Sequence, residues 1–177
     1  MDWHRRRDGD RQAAVVELLG RAQQELGGPL TGTRLLYDAR DMLAATRQIE
    51  AAVRGGRLFV GFQRAELADG EAGVYRRLVD SGVRVVAFGT GQPRRLPGLR
   101  WVAVPEDQTA LQNQWFLVAE EPEPIAFVGF ETSPPERFGR VGVTDPNRTF
   151  TGFVSDDPRL IRALTTHLTA VEGAAGA

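Results

Sequence analysis

Two short polar groups of residues stand where ligand chemistry is often found. Gln63-Arg64 directly follows the apolar run Leu58–Phe62, and Gly89-Thr90-Gly91 directly follows the apolar run Val83–Phe88. If both runs are parallel strands, the two groups lie side by side at the carboxyl ends, the edge where open α/β sheets bind ligands. Gln63 and Arg64 could serve there as polar fixers of a ligand. Arg94, with Arg95 beside it just past the glycine turn, could clamp an anionic ligand or an acidic partner. Trp115 opens the apolar run Trp115–Ala119, and its indole N–H requires a partner if buried. Trp115 and Tyr75 could wall a pocket for a flat hydrophobic ligand, with Gln63 and Arg64 as its polar contacts. Glu131 follows the run Ile125–Phe130 at a similar strand end. The candidate ligand-binding set is therefore Phe62, Gln63, Arg64, Tyr75, Gly89, Arg94, Trp115 and Glu131.

The same inventory sets other chemistries aside. All 22 basic residues are Arg, which removes Schiff-base chemistry and the phosphate-loop lysine. His4 and His167 stand too far apart in sequence to suggest a metal site or a histidine-based triad. With no Cys there is neither disulfide nor thiol chemistry. Gly89-Thr90-Gly91 runs into Gln92-Pro93 rather than into a helix, so a phosphate-binding loop is incomplete. Glu120, Glu121 and Glu123 suit a solvated turn, while Asp145 and Asp156-Asp157 suit turns and caps. The expectation is a chain that is not an enzyme, with no catalytic or metal-ligating residue and an unknown cofactor. A net charge of −1 supplies no field for nucleic acid. The longest apolar runs fall well short of the ~20 residues that cross a bilayer. His4-Arg5-Arg6-Arg7 is followed by Asp8 rather than by an apolar stretch, which argues against a secretory signal. Cytoplasmic location, no nucleic-acid partner and no membrane partner are the corresponding expectations.

Hydrophobic spacing gives the elements that must position these residues. Val15, Leu18, Leu19, Ala22 and Leu26 recur at threes and fours, predicting an amphipathic helix over Arg11–Leu26 that Gly27-Gly28-Pro29 stops. Met42, Leu43, Thr46, Ile49 and Val53 predict a second helix over Ala39–Arg54, and Arg34–Tyr37 is either a strand or the start of that helix. Continuous apolar runs at Leu58–Phe62, Val83–Phe88, Trp101–Val104, Trp115–Ala119 and Ile125–Phe130 predict strands covered on both faces. A helix over Ala72–Ser81 is the crossover that makes the first two strands parallel. The turn Glu120–Pro124 is too short for a crossover, so the strands beside it pair antiparallel. Phe138–Val143 and Phe150–Val154 could add edge strands, and Asp157-Pro158 reads as the N-cap and first turn of a final helix. The expected fold is one α/β domain: a mixed sheet of five to seven strands, helices on both faces and two N-terminal helices. Residues 1–10 form a flexible charged arm in this reading, 11–56 the leading helices, 57–171 the core and 172–177 a flexible tail.

FVGFQR, GVYRRLVDSGVRVVAFG, WVAVPEDQTALQNQWFLVAE, the strand ending in Phe130-Glu131 and the closing GFVSDDPRLIRAL together resemble the DICT sensory domain. The resemblance spans roughly Ala45–Val171 and is carried by Phe62-Gln63, Tyr75, Phe88-Gly89 and Trp115. It implies a bacterial signal-transduction domain of the kind joined to diguanylate cyclase, two-component or DNA-binding modules and associated with light or stress responses. Such a domain would bind a small ligand or a partner and signal through protein contacts. Here the signal would pass to a signalling partner, or through a homodimer, by way of the N-terminal helices. The alternatives are an interaction module in which Arg94, Arg95 and Arg100 meet an acidic partner, and a hydrolase using Glu131 or Asp145. The order of elements is also similar to one phospholipase D-like repeat, whose paired His and Lys this sequence lacks.

Overall fold

Continuous apolar runs become the inner strands of one sheet, because each strand is covered on both faces. The structure is a computed structural model that describes residues 3–105, 113–134, 142 and 145–175. In chain order the elements are α1 (Trp3–Glu25), β1 (Arg34–Leu36), α2 (Ala39–Ala52), β2 (Arg57–Arg64), α3 (Ala65–Gly70), α4 (Ala72–Asp80), β3 (Arg84–Thr90), β4 (Arg100–Ala103), β5 (Gln114–Ala119), β6 (Ile125–Glu131), β7 (Phe150–Ser155) and α5 (Pro158–Ala174). The strands form a single sheet in the order β1-β7-β6-β5-β2-β3-β4. β2 runs parallel to β3 and antiparallel to β5, β3 runs parallel to β4, and β5, β6, β7 and β1 continue antiparallel. The mixed α/β domain read from the sequence is the observed one.

Strand side chains alternate between faces, and each face has its own core. Leu58, Val60 and Phe62 of β2 pack with Val85 and Ala87 of β3 beneath Met42, Ile49, Tyr75 and Leu78 from α2 and α4. Phe59 and, on β3, Val86 and Phe88 face the other way, toward Val15 of α1 and Leu160, Ile161 and Leu168 of α5. Asp38 caps α2 by accepting the Asp41 N–H at 2.8 Å, and Asp157 caps α5, with Pro158 in its first turn. Where β6 and β7 cross closest, Gly152 lies so near β6 that a Cβ there would sit 2.5 Å from the Val128 carbonyl oxygen.

Several boundaries differ from the sequence reading. α1 begins at Trp3 instead of Arg11, with the good helix formers Arg5, Arg6 and Arg7 in its opening turns. The segment expected as a flexible arm is therefore largely helical. α5 likewise continues to Ala174, past the expected end at Val171. Arg34–Leu36 is a strand, pairing with β7 at the sheet edge. β2 runs on through Gln63 and Arg64, and a short helix, α3, follows it directly. The expected strand at Phe138–Val143 lies outside the described residues except for Gly142. Among the described residues no helix is long and apolar enough to cross a membrane.

Candidate functional site

The carboxyl end of β2 has an unusual backbone. Gln63 has φ 63°, alone among the described non-glycine residues in adopting the left-handed region. The β2–β3 register also shifts between Gly61 and Arg64. Consecutive residues of a regular strand face opposite sides, yet Phe62 and Gln63 line the same cavity. The backbone reversal at Gln63 permits this. Gln63 Nε2 donates to Glu131 Oε2 at 3.0 Å, and Gln63 Oε1 accepts from Arg148 Nη2 at 2.8 Å. Arg148 in turn grips Glu131 with two bonds, Nε to Oε1 at 2.8 Å and Nη2 to Oε2 at 2.7 Å. All three side chains are buried, and the guanidinium lies 4.7 Å from the Phe150 ring centroid. A buried carboxylate is tolerable only when paired and hydrogen-bonded in this way.

Arg148 is delivered to this place by a turn. Its N–H donates to the Asp145 carbonyl at 3.0 Å, and the Asn147 N–H donates to Asp145 Oδ1 at 2.7 Å. The adjoining strand ends are fastened by Thr149 N–H to Ser133 Oγ at 2.8 Å and by Thr132 Oγ1 to Thr149 Oγ1 at 2.8 Å. Asp145 is thus a turn residue, as its type suggests.

A second polar chain runs between α2 and α4. The Tyr75 hydroxyl donates to Glu50 Oε1 at 2.6 Å, Arg47 Nη1 donates to Glu50 Oε2 at 2.8 Å, and Arg47 Nη2 donates to Glu71 Oε2 at 2.6 Å. Burial, and then the facing Glu50 carboxylate, holds the Tyr75 phenol well above its ordinary pKa, so it stays a proton donor. Burial works against the Arg47 charge, but the hydrogen bonds to Glu71 and Glu50 outweigh it and raise its pKa further.

Between these two clusters lies a cavity of about 360 Å³. Leu43, Val60, Phe62, Leu67, Tyr75 and Trp115 give it apolar walls, and Arg47, Glu50, Gln63, Glu66 and Glu71 supply polar groups. Of the expected ligand-binding residues, Phe62, Gln63, Tyr75 and Trp115 come together here, with Glu131 directly behind Gln63. Arg64 stays outside, its Nε 3.7 Å from Glu66. Gly89 belongs elsewhere: with Phe116 and His167 it lines a separate cavity of about 30 Å³ against α5. Arg94 is exposed, and only its backbone N–H is engaged, by the Asp69 carboxylate. The β3–β4 segment carries it away from β2. Trp115 meets Phe127 and Phe150 edge-on at 5.5 and 5.6 Å, while the indole N–H that finds a carbonyl, Gly91 O at 2.9 Å, is that of Trp101. Glu120, expected in a solvated turn, is held by Arg57 through two bonds of 2.6 and 2.8 Å.

Sequence reading missed Arg47, Glu50, Glu71 and Arg148. Glu50 carried one usable signal, a carboxylate beside Ile49 in an apolar stripe with Arg47 one turn before it. Arg148 carried none, since it sits in a polar stretch with no periodicity.

No family model and no curated protein matches this sequence. Solved structures do share its fold. NucT from Helicobacter pylori superposes with a TM-score of 0.52 at 13% identity, covering 78% of this chain and 94% of its own. The structure described as that of TrmBL2, an archaeal chromatin protein with a novel mode of DNA binding, superposes with a TM-score of 0.52 at 11% identity. That match covers 92% of this chain, which spans 60% of the TrmBL2 chain. Two expectations are corrected by these likenesses. The chain was read as not an enzyme because no nucleophile–base pair shows in the sequence; that reading is withdrawn, since its fold is shared with NucT. It was read as having no nucleic-acid partner from its net charge alone, yet its fold is shared with a DNA-binding chromatin protein. Net charge is a whole-chain average and is blind to a local basic face. At these identities the likeness establishes the fold.

Proposed function

We propose that this chain is a cytoplasmic sensory domain of the DICT type whose cavity between β2, α2 and α4 binds a small, largely apolar molecule. The supporting observation is the cavity itself: about 360 Å³, apolar walls and a few polar groups already fixed by their neighbours. That size and composition suit small-molecule sites, which are usually pre-formed. The strained backbone at Gln63 supports the same function, because such strain concentrates at ligand sites. The test is native mass spectrometry and thermal shift against a metabolite panel, repeated with Leu67→Trp to fill the cavity. Ligand-induced stabilisation present in the parent and lost in the filled variant is the expected outcome. Stabilisation that survives the filling would place the ligand elsewhere.

Nucleic-acid binding is a second function with its own support. Arg76 and Arg77 on α4 and Arg94 and Arg95 on the β3–β4 segment are exposed, Arg76 Nη2 reaches the Arg95 carbonyl at 3.2 Å, and none of the four enters an ion pair among the described residues. Guanidiniums grouped in this way suit phosphodiester backbones. Anisotropy of a labelled duplex across a salt series should give a slope that falls by about 0.9 for each phosphate contact removed in Arg94→Ala and Arg95→Ala. A salt-independent signal would exclude this function.

A further inference from the structure

The charge inside the cavity selects among ligands. Among the described residues, its lining holds three carboxylates, Glu50, Glu66 and Glu71, and one guanidinium, Arg47. Arg47 is committed, with one terminal nitrogen on Glu50 and the other on Glu71. Glu50 is committed too, since its two oxygens take Tyr75 and Arg47. Glu71 is different: Oε2 takes Arg47, Oε1 takes no hydrogen bond among the described residues, and the side chain is 37% exposed. Glu66 is 76% exposed and its nearest cation, Arg64, stands at 3.7 Å. An anion entering this space would lose its hydration against apolar walls and find no uncommitted cation among the described lining residues. A cation would find spare carboxylate oxygens at the mouth and apolar surface beneath them.

Building on the ligand-binding function proposed above, we infer that the cavity takes an amine: an apolar, preferably aromatic body seated against Trp115 and Tyr75, with its ammonium at Glu71 and Glu66. Specificity then comes from the carboxylates left half used, while the Tyr75–Glu50–Arg47 chain holds the wall rigid.

Three probes of one shape test this: 2-phenylethylamine, 2-phenylethanol and phenylacetate, which share a phenyl body and carry positive, neutral and negative heads. Calorimetry or saturation-transfer NMR on the full chain at neutral pH should rank the amine first, about tenfold tighter than the alcohol, the effect of one charge-assisted hydrogen bond. Phenylacetate should be weakest. Glu71→Gln and Glu66→Gln should each shrink the amine's advantage over the alcohol, and added salt should do the same. If all three probes bind alike and Leu67→Trp abolishes them, the cavity is a ligand site and the amine preference is wrong. If no probe binds, or binding persists in Leu67→Trp, the ligand-site function fails and the amine inference falls with it.

Discussion

Tyr75 and Glu131 are buried for opposite reasons, and their variants should behave differently. Tyr75 is a neutral donor to a charged acceptor, so Tyr75→Phe leaves Glu50 with Arg47 alone. The expected loss is about 1–2 kcal/mol in urea unfolding, the usual cost of removing a partner from a buried polar group. Because its pKa is raised, the phenol should remain un-ionised in the folded protein above pH 10, and its absorbance at 295 nm should appear only as the chain unfolds. Stability accordingly declines as pH rises past the phenol's ordinary value. Glu131 is instead one half of an ion pair. Either Glu131→Gln or Arg148→Met should cost about 3–5 kcal/mol by stranding the other charge, whereas the double variant should cost much less than the sum. Additive losses in that cycle would mean that the two side chains do not act as a pair. At this scale the sequence showed Gln63, Tyr75, Trp115 and Glu131 through their places at strand ends and on the crossover helix. It could not show Arg148, whose position depends on a four-residue turn around Asp145.

Capping and close approach decide the elements. Asp38→Ala should destabilise α2 by about 1 kcal/mol, seen as a lower urea midpoint with unchanged slope. Asp157 has a second role beyond capping α5. Arg159 and then the Thr31 N–H hold its carboxyl well below the usual range. The stability this supplies is complete above about pH 4, the unfolded value, and drains as pH falls below it. Asp157→Asn should flatten the acid limb of a Tm-against-pH profile relative to the parent. Gly152→Ala should weaken the β6–β7 pairing severely, because the new methyl meets backbone rather than a movable side chain. The strands were legible because doubly covered strands give unbroken apolar runs. The start of α1 and the C-terminal end of α5 were not, because no proline or cap marks them. The bulge at Gln63 left no trace either, since Gln is not a residue that advertises a positive φ.

For the molecule as a whole, the sheet divides two cores, and the cavity opens on only one of them, under α2 and α4. Ligand-linked change is therefore expected first in that layer. Hydrogen exchange should show it as altered protection in α2 and α4 with α5 unaffected. Fold class was readable from the succession of runs and turn lengths, while the choice of face was not, because both faces are apolar.

β1 finds its partner only in β7, where Arg34 lies opposite Val154. During synthesis this pairing has a cost in time. α1 and β1 leave the ribosome more than a hundred residues before the strand that completes their edge of the sheet, and contacts so distant in sequence form slowly. Until β7 emerges, β1 has no strand to pair with and its backbone edge stays open. The exposed edge left for that interval is prone to wrong pairing, which makes it a natural client of a chaperone.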